Sequence, residues 1–135
     1  MLFMAWSDSL SVGIRQIDEQ HKHLIDLINN LYDAMSHGQG KAVLERTLDE
    51  LANYTVEHFS VEEVLMRKHS YSGYPTHKAE HESFVQKVVD FKQGFADGKA
   101  LLSIDIMNFL RDWTVNHIAE TDKKFGPFFN SKGIV

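Results

Sequence analysis

Residues 14–35 read IRQIDEQHKHLIDLINNLYDAM, and here Ile14, Ile17, His21, Leu24, Ile28, Leu31 and Met35 recur every three or four positions. That is the period of an α-helix with one apolar face. Lys22, Asp26, Asn29 and Asp33 fall on the opposite side. One member of the apolar stripe is out of place, because an imidazole belongs in a core only where something satisfies it. The stretch therefore predicts two things together: an amphipathic helix, and a reason for His21 to face inward.

Three further segments repeat the pattern. In the second, Leu44, Leu48, Leu51, Thr55, His58, Glu62 and Leu65 share a face; in the third, His77, His81, Phe84, Val88, Phe91 and Phe95; in the fourth, Ile106, Leu110, Trp113, His117 and Thr121. Glycine and proline separate them at Gly38-Gln39-Gly40, at Ser72-Gly73-Tyr74-Pro75 and from Gly94 to Lys99, and Gly126-Pro127 reads as a last break. No segment alternates with the period of a strand. The expectation is an all-α, up-down-up-down antiparallel four-helix bundle, one domain over 1–135. Its helices are placed at about 14–37, 41–70, 75–96 and 103–122. Pro75 suits a first helical turn and Ser103 an N-cap. An extended N-terminal arm over 1–13 is packed by Phe3 and Trp6, and a loosely held tail covers 127–135.

Composition narrows the function. The 135 residues include no cysteine, eight histidines, 14 basic and 19 acidic residues, for a net charge of −5. A disulfide framework, a thiolate zinc site, a cysteine nucleophile and a cysteine-held iron–sulfur cluster are all excluded. The acidic balance argues against nucleic acid. No apolar run approaches the ~18 residues of a membrane span, and the first residues lack the basic region of a signal peptide. A cytoplasmic protein without membrane insertion, and a monomer, is expected.

Two local patterns carry chemistry. His58-Phe59-Ser60-Val61-Glu62 is HxxxE, and His77-Lys78-Ala79-Glu80-His81 is HxxxH. Residues four apart share a helix face. Each pattern alone is weak, since a chain of this composition yields roughly half of one HxxxH and about one His-xxx-acid by chance. Height in the bundle strengthens them. His21 lies 18 residues before Gln39 and His58 lies 19 after it; His81 and His117 each lie 18 from Lys99. At about 1.5 Å per residue, each pair is level in an antiparallel bundle. All four helices therefore deliver ligands to one end of one core. Asp122 follows His117 by five residues, which on an ideal helix points it about 140° away. It joins the cluster only where the helix loosens or bulges.

Five imidazoles and two carboxylates exceed the needs of one metal. Nitrogen and oxygen donors without sulfur suit iron, zinc, copper or manganese. If Glu62 and Asp122 each bridge two octahedral ions that share an oxygen, about eleven of about twelve positions are filled and one is open.

These residues resemble the hemerythrin family in its bacterial single-domain form, over nearly the whole chain. Trp6 with Val12-Gly13-Ile14 is similar to the family's opening, and Ile17 to Leu24 (IDEQHKHL) to its first ligand motif. His58 to Glu63 matches HFxxEE, His77 to His81 matches HxxxH, and Trp113 to Asp122 (WTVNHIAETD) matches WxxNHIxxxD. The resemblance implies reversible dioxygen binding for storage, delivery or sensing, at two iron ions bridged by Glu62, Asp122 and an oxo or hydroxo group. His77, His81 and His117 then serve one iron, and His21 and His58 the other, which keeps the open position. Asp122 enters the ligand set on this pattern. Leu24, Phe59, Trp113, Thr114 and Ile118 are expected to wall the oxygen pocket. Thr114 departs from the family, where leucine is common, and a hydroxyl there would admit water and hasten oxidation. His23, His37 and His69 read as surface or helix-end residues. Glu57 and Glu63 read as solvated groups or as partners of the ligands.

Two alternatives stand beside an oxygen carrier. One is a di-iron enzyme, a peroxidase or a protein that processes nitric oxide; the other is an oxygen or redox signal passed to a client protein. The chain has neither the Glu-x-x-His of ferritin-like enzymes nor HExxH. No general acid or base beyond the ligands is evident, which weighs against dedicated turnover.

Overall fold

The computed structural model describes residues 3–98 and 104–135. The expected Ser103 N-cap, and Lys99 at the expected third connection, lie outside the described residues. Four long helical stretches form the bundle: α1 (Arg15–Ser36), α2 (Lys41–Lys68), α3 (Tyr74–Ala96) and α4 (Ile104–Asn116). α1 packs against α2 and α4, and α2 against α3. No strand occurs among the described residues. Pro75 sits in the first turn of α3, where its missing N–H costs no hydrogen bond.

The apolar stripes meet where their period aims them. Ile17, Ile28, Leu31, Leu48, Leu51, Met66, Phe84, Met107 and Leu110 are nearly or wholly sealed from solvent. The protein is therefore an all-α four-helix bundle.

The fourth segment departs from a single helix over 103–122. α4 ends at Asn116, a π-helical stretch runs over His117–Asp122, and α5 (Lys123–Ser131) follows. The loosely held tail over 127–135 is corrected, because Phe125 and Phe129 are completely buried and draw residues 123–131 into a helix. Pro127 lies inside α5, on its exposed side. Proline disfavours a helix interior; the two buried phenylalanines on the other side outweigh that preference.

The arm also departs from a purely extended chain, since Asp8–Leu10 makes one 3-10 turn. Phe3 stacks on Tyr32 with ring centroids 4.3 Å apart, and Lys22 lies over Trp6. Asn29, buried in α1, donates to the Met4 carbonyl at 2.8 Å and accepts from the Met4 N–H at 2.9 Å. At the other end of the arm, a Cβ on Gly126 would meet the Val12 carbonyl oxygen at 2.2 Å, so only glycine allows α5 this approach. Asn130 of α5 adds a hydrogen bond to the Gly13 carbonyl at 3.0 Å. The first and last segments are thus tied together beside the ligand-bearing end.

Candidate metal centre

Helix period brings the ligand-type residues inward, and α1, α2, α3 and the π segment each contribute. His21, His58, Glu62, His77, His81, His117 and Asp122 are all at most 4% exposed. The π segment solves the spacing problem of Asp122. Its wider i to i+5 repeat returns Asp122 to the face of His117, and such single turns occur mostly at functional sites. The Nε2 of His117 lies 3.0 Å from Asp122 Oδ1.

Each carboxylate divides its oxygens between two sets of imidazoles. Glu62 Oε1 faces His81 at 3.1 Å and His77 at 3.5 Å, while its Oε2 faces His58 at 3.1 Å and His21 at 3.3 Å. Asp122 Oδ1 faces His77 at 2.8 Å and His117, and its Oδ2 faces His21 at 3.0 Å. Two ligand clusters result, one of Glu62, His77, His81, His117 and Asp122, the other of His21, His58, Glu62 and Asp122.

The orientation of these atoms suits cations better than hydrogen bonds. Glu62 Oε1, His77 Nε2 and both Asp122 oxygens are buried without a hydrogen-bond partner, although they crowd one another. The spacings run from 2.8 to 3.5 Å. Donors about 2.1 Å from a shared ion stand about 3.0 Å apart at a right angle. Leaving so many buried polar atoms unpaired is costly, and a cation between them relieves it.

Proton affinities follow the same crowding when no ion is bound. Burial alone would lower the pKa of His21, but Asp122 and Glu62 outweigh it and raise it to about 10. His77 is raised to about 9 by the same carboxylates against the same burial. Burial opposes a charged His117 too, and Asp122 and Glu62 again raise it. Burial pushes Glu62 upward, yet His58, His21 and His77 hold it well below the carboxylate range. Asp122 is raised by burial and by Glu62, but His117 and His21 win and hold it low. Protons and cations therefore compete for one set of atoms.

The outer nitrogens of three imidazoles are fixed. Assigning the proton to Nδ1, His81 donates to Glu63 Oε2 at 3.0 Å, His117 to Glu80 Oε1 at 3.1 Å and His58 to Gln20 Oε1 at 2.7 Å. Thr121 Oγ1 also donates to Glu80, at 2.8 Å, and with His117 it outweighs the burial of that carboxylate and lowers its pKa. Such partners hold the ring orientation and raise the basicity of the inner nitrogen. Glu63 takes the partner role foreseen for it. Gln20 and Glu80 were missed; both act on a ligand from another helix, and nothing in local spacing marks that.

Aromatic rings set the imidazole planes. Phe59 stacks on His81 at 3.7 Å, Trp113 on His117 at 4.4 Å and Phe125 on His77 at 5.4 Å. Phe125 was missed because the Gly126-Pro127 signal placed a break there. Leu24, Thr114 and Ile118 are buried, as is Phe59, whereas Trp113 is partly exposed. His23 is exposed, His37 caps the end of α1 and His69 the end of α2, all outside the two clusters.

Fold and ligand set together define a helical bundle whose core carries an imidazole and carboxylate set able to hold metal ions. Comparison with known proteins gives the family. Residues 12–129 match the model of the hemerythrin HHE cation-binding domain, and the chain belongs to the hemerythrin family. It is 37% identical over 128 residues to a bacteriohemerythrin of Methylococcus capsulatus, covering 94% of this chain and 97% of that one. A bacteriohemerythrin of Pseudomonas aeruginosa is 35% identical over 122 residues, with 90% and 78% covered. A solved wild-type hemerythrin superposes with a TM-score of 0.89 at 36% identity, over 93% of this chain and 96% of its own. Members of this family bind oxygen at non-haem iron. No helix among the described residues is long and apolar enough to cross a membrane.

Proposed function

We propose that this chain binds dioxygen reversibly at a pair of non-haem irons, as a cytoplasmic monomeric carrier, store or sensor in a single domain. The observation that carries the reading is the division of Glu62 and Asp122 between two imidazole sets. Glu62 and Asp122 would serve both irons, together with a shared oxo or hydroxo group; His77, His81 and His117 would hold one iron, and His21 and His58 the other. The donor set has no thiolate and suits iron. Two ferrous ions would supply the electrons that hold dioxygen.

The protein's own contribution is positional. Glu63, Glu80 and Gln20 hold three imidazoles by their outer nitrogens. Leu24, Phe59, Trp113, Thr114 and Ile118 wall the pocket and limit water. The two-imidazole side would hold its iron with one protein donor fewer and so leave room for a small molecule. The test is to load the purified protein with ferrous iron without air, then add and withdraw oxygen while following the visible spectrum. Two irons per chain and a coloured form that appears and disappears with oxygen are expected. Rapid irreversible oxidation with no such form would overturn the carrier reading, and zinc in place of iron would overturn the cofactor.

A further inference from the structure

A groove between α2 and α3 reaches the cluster from outside. It is a concavity of about 480 Å³ with Val56, Phe59 and Val85 as apolar walls, and His81 lines it too. The His81 ring lies flat against Phe59 there, with centroids 3.7 Å apart. Two carboxylates, Glu63 and Glu82, line the same groove, and no lysine or arginine does. The apolar wall continues beyond it, because Val56 is 49% and Val89 47% exposed and both line a smaller hollow next to it. Half-exposed valines gathered on one groove mark an interaction surface, whereas scattered ones would not.

The shape and charge select the occupant. A lysine or arginine lays its methylene stem on apolar surface and keeps its charged head among polar groups. Valine walls beside two carboxylates offer both. The net charge of −5 draws a basic surface toward the protein. Glu82 is held only by Lys78, at 3.7 Å on the surface, a contact worth little. Glu63 is 20% exposed, and among the described residues no lysine or arginine pairs with it. Its Oε2 accepts from His81 Nδ1 at 3.0 Å.

We propose that this groove docks a protein partner presenting a lysine or arginine among apolar side chains, and that docking loosens the hold of His81 on its metal. A cation at Glu63 draws carboxylate charge away from the His81 N–H, and the inner nitrogen becomes a poorer donor. The coupling is reciprocal: a metal pulling on His81 tightens its bond to Glu63 and disfavours the partner by the same factor. The coupling rests on the reading that the cluster holds metal; the docking does not.

The probe is the capped peptide Ala-Leu-Lys-Leu-Ala, titrated into the isotope-labelled full chain loaded with zinc, a diamagnetic ion. It should shift the methyl signals of Val56, Val85 and Val89. It should bind about fivefold more tightly than the same peptide with norleucine for lysine. Glu82→Gln and Val56→Ser should each weaken the peptide and leave zinc affinity unchanged. Competition with a chelator should show zinc held severalfold more weakly when the peptide is bound, a part of the about tenfold loss expected when such a ligand partner is deleted. Unmoved valine methyls, or equal binding of the norleucine peptide, would overturn the docking. Equal binding of spermine, a cation without apolar neighbours, would overturn the protein partner. Zinc affinity that ignores the bound peptide would overturn the coupling. A chain that holds no metal would refute the metal reading instead, and the methyl titration of the bare chain would still decide the docking.

Discussion

The two halves of the cluster are built from the same residue types but finished differently. On one side His77, His81 and His117 are each stacked on an aromatic ring, and two of them are backed by carboxylates, Glu63 and Glu80. On the other side stand only His21 and His58. His58 is backed by the neutral Gln20, and the outer nitrogen of His21 has no partner. A carboxylate pushes more electron density through an imidazole than an amide does. The first half thus has three imidazoles with two carboxylate backings; the second has two imidazoles and one amide backing. Under the proposed di-iron reading, that difference assigns the three-imidazole side to anchoring charge and the two-imidazole side to receiving the ligand.

The sharpest way to break this comparison is to remove what the halves share. Asp122→Ala takes a donor from each, and metal analysis should find both ions lost. His58→Ala touches only the open half, so about one ion per chain should remain. Equal losses would mean the halves do not load separately. Next come the backing residues. Glu80→Gln should weaken metal binding by about 10–100-fold, in the range known for such partners. Gln20→Leu should cost less, and the reverse order would erase the asymmetry. The smallest effect is in pH. In the metal-free chain the raised pKa values of His21 and His77 stabilise the fold fully below about 6.5. That stability is lost as pH climbs through about 9 to about 10. The lowered Glu62 and Asp122 act in the opposite direction, losing their contribution as pH falls into the acid range. Thermal melts should therefore decline from pH 6.5 to 10 without metal. With metal bound the decline should vanish, because ions replace the protons.

Much of this was legible before any coordinates. The 3.6-residue period placed His21, His58, Glu62, His77, His81 and His117 on apolar faces, and counting from the turns levelled them. Local spacing does encode those features. What failed to show was anything decided between segments. Asp122 needed a change of helix type, and its position was legible only as a condition. Gly126-Pro127 looked like a stop because proline and glycine have strong local preferences. The burial of Phe125 and Phe129 and the contact of Gly126 with Val12 are tertiary facts that override them. Gln20 and Glu80 reach across the core to rings on other helices, and no period within one helix records that.

The π turn has a consequence for how the protein is made. Chains are synthesised and begin to fold from the N-terminus. Six of the seven cluster residues precede Asp122 in the sequence, and α5, which fastens the arm, comes after it. A nascent chain can therefore present imidazoles and one carboxylate before it owns the second group that joins the two halves. The second carboxylate thus arrives after all five imidazoles and Glu62, and α5 follows it to fasten the arm.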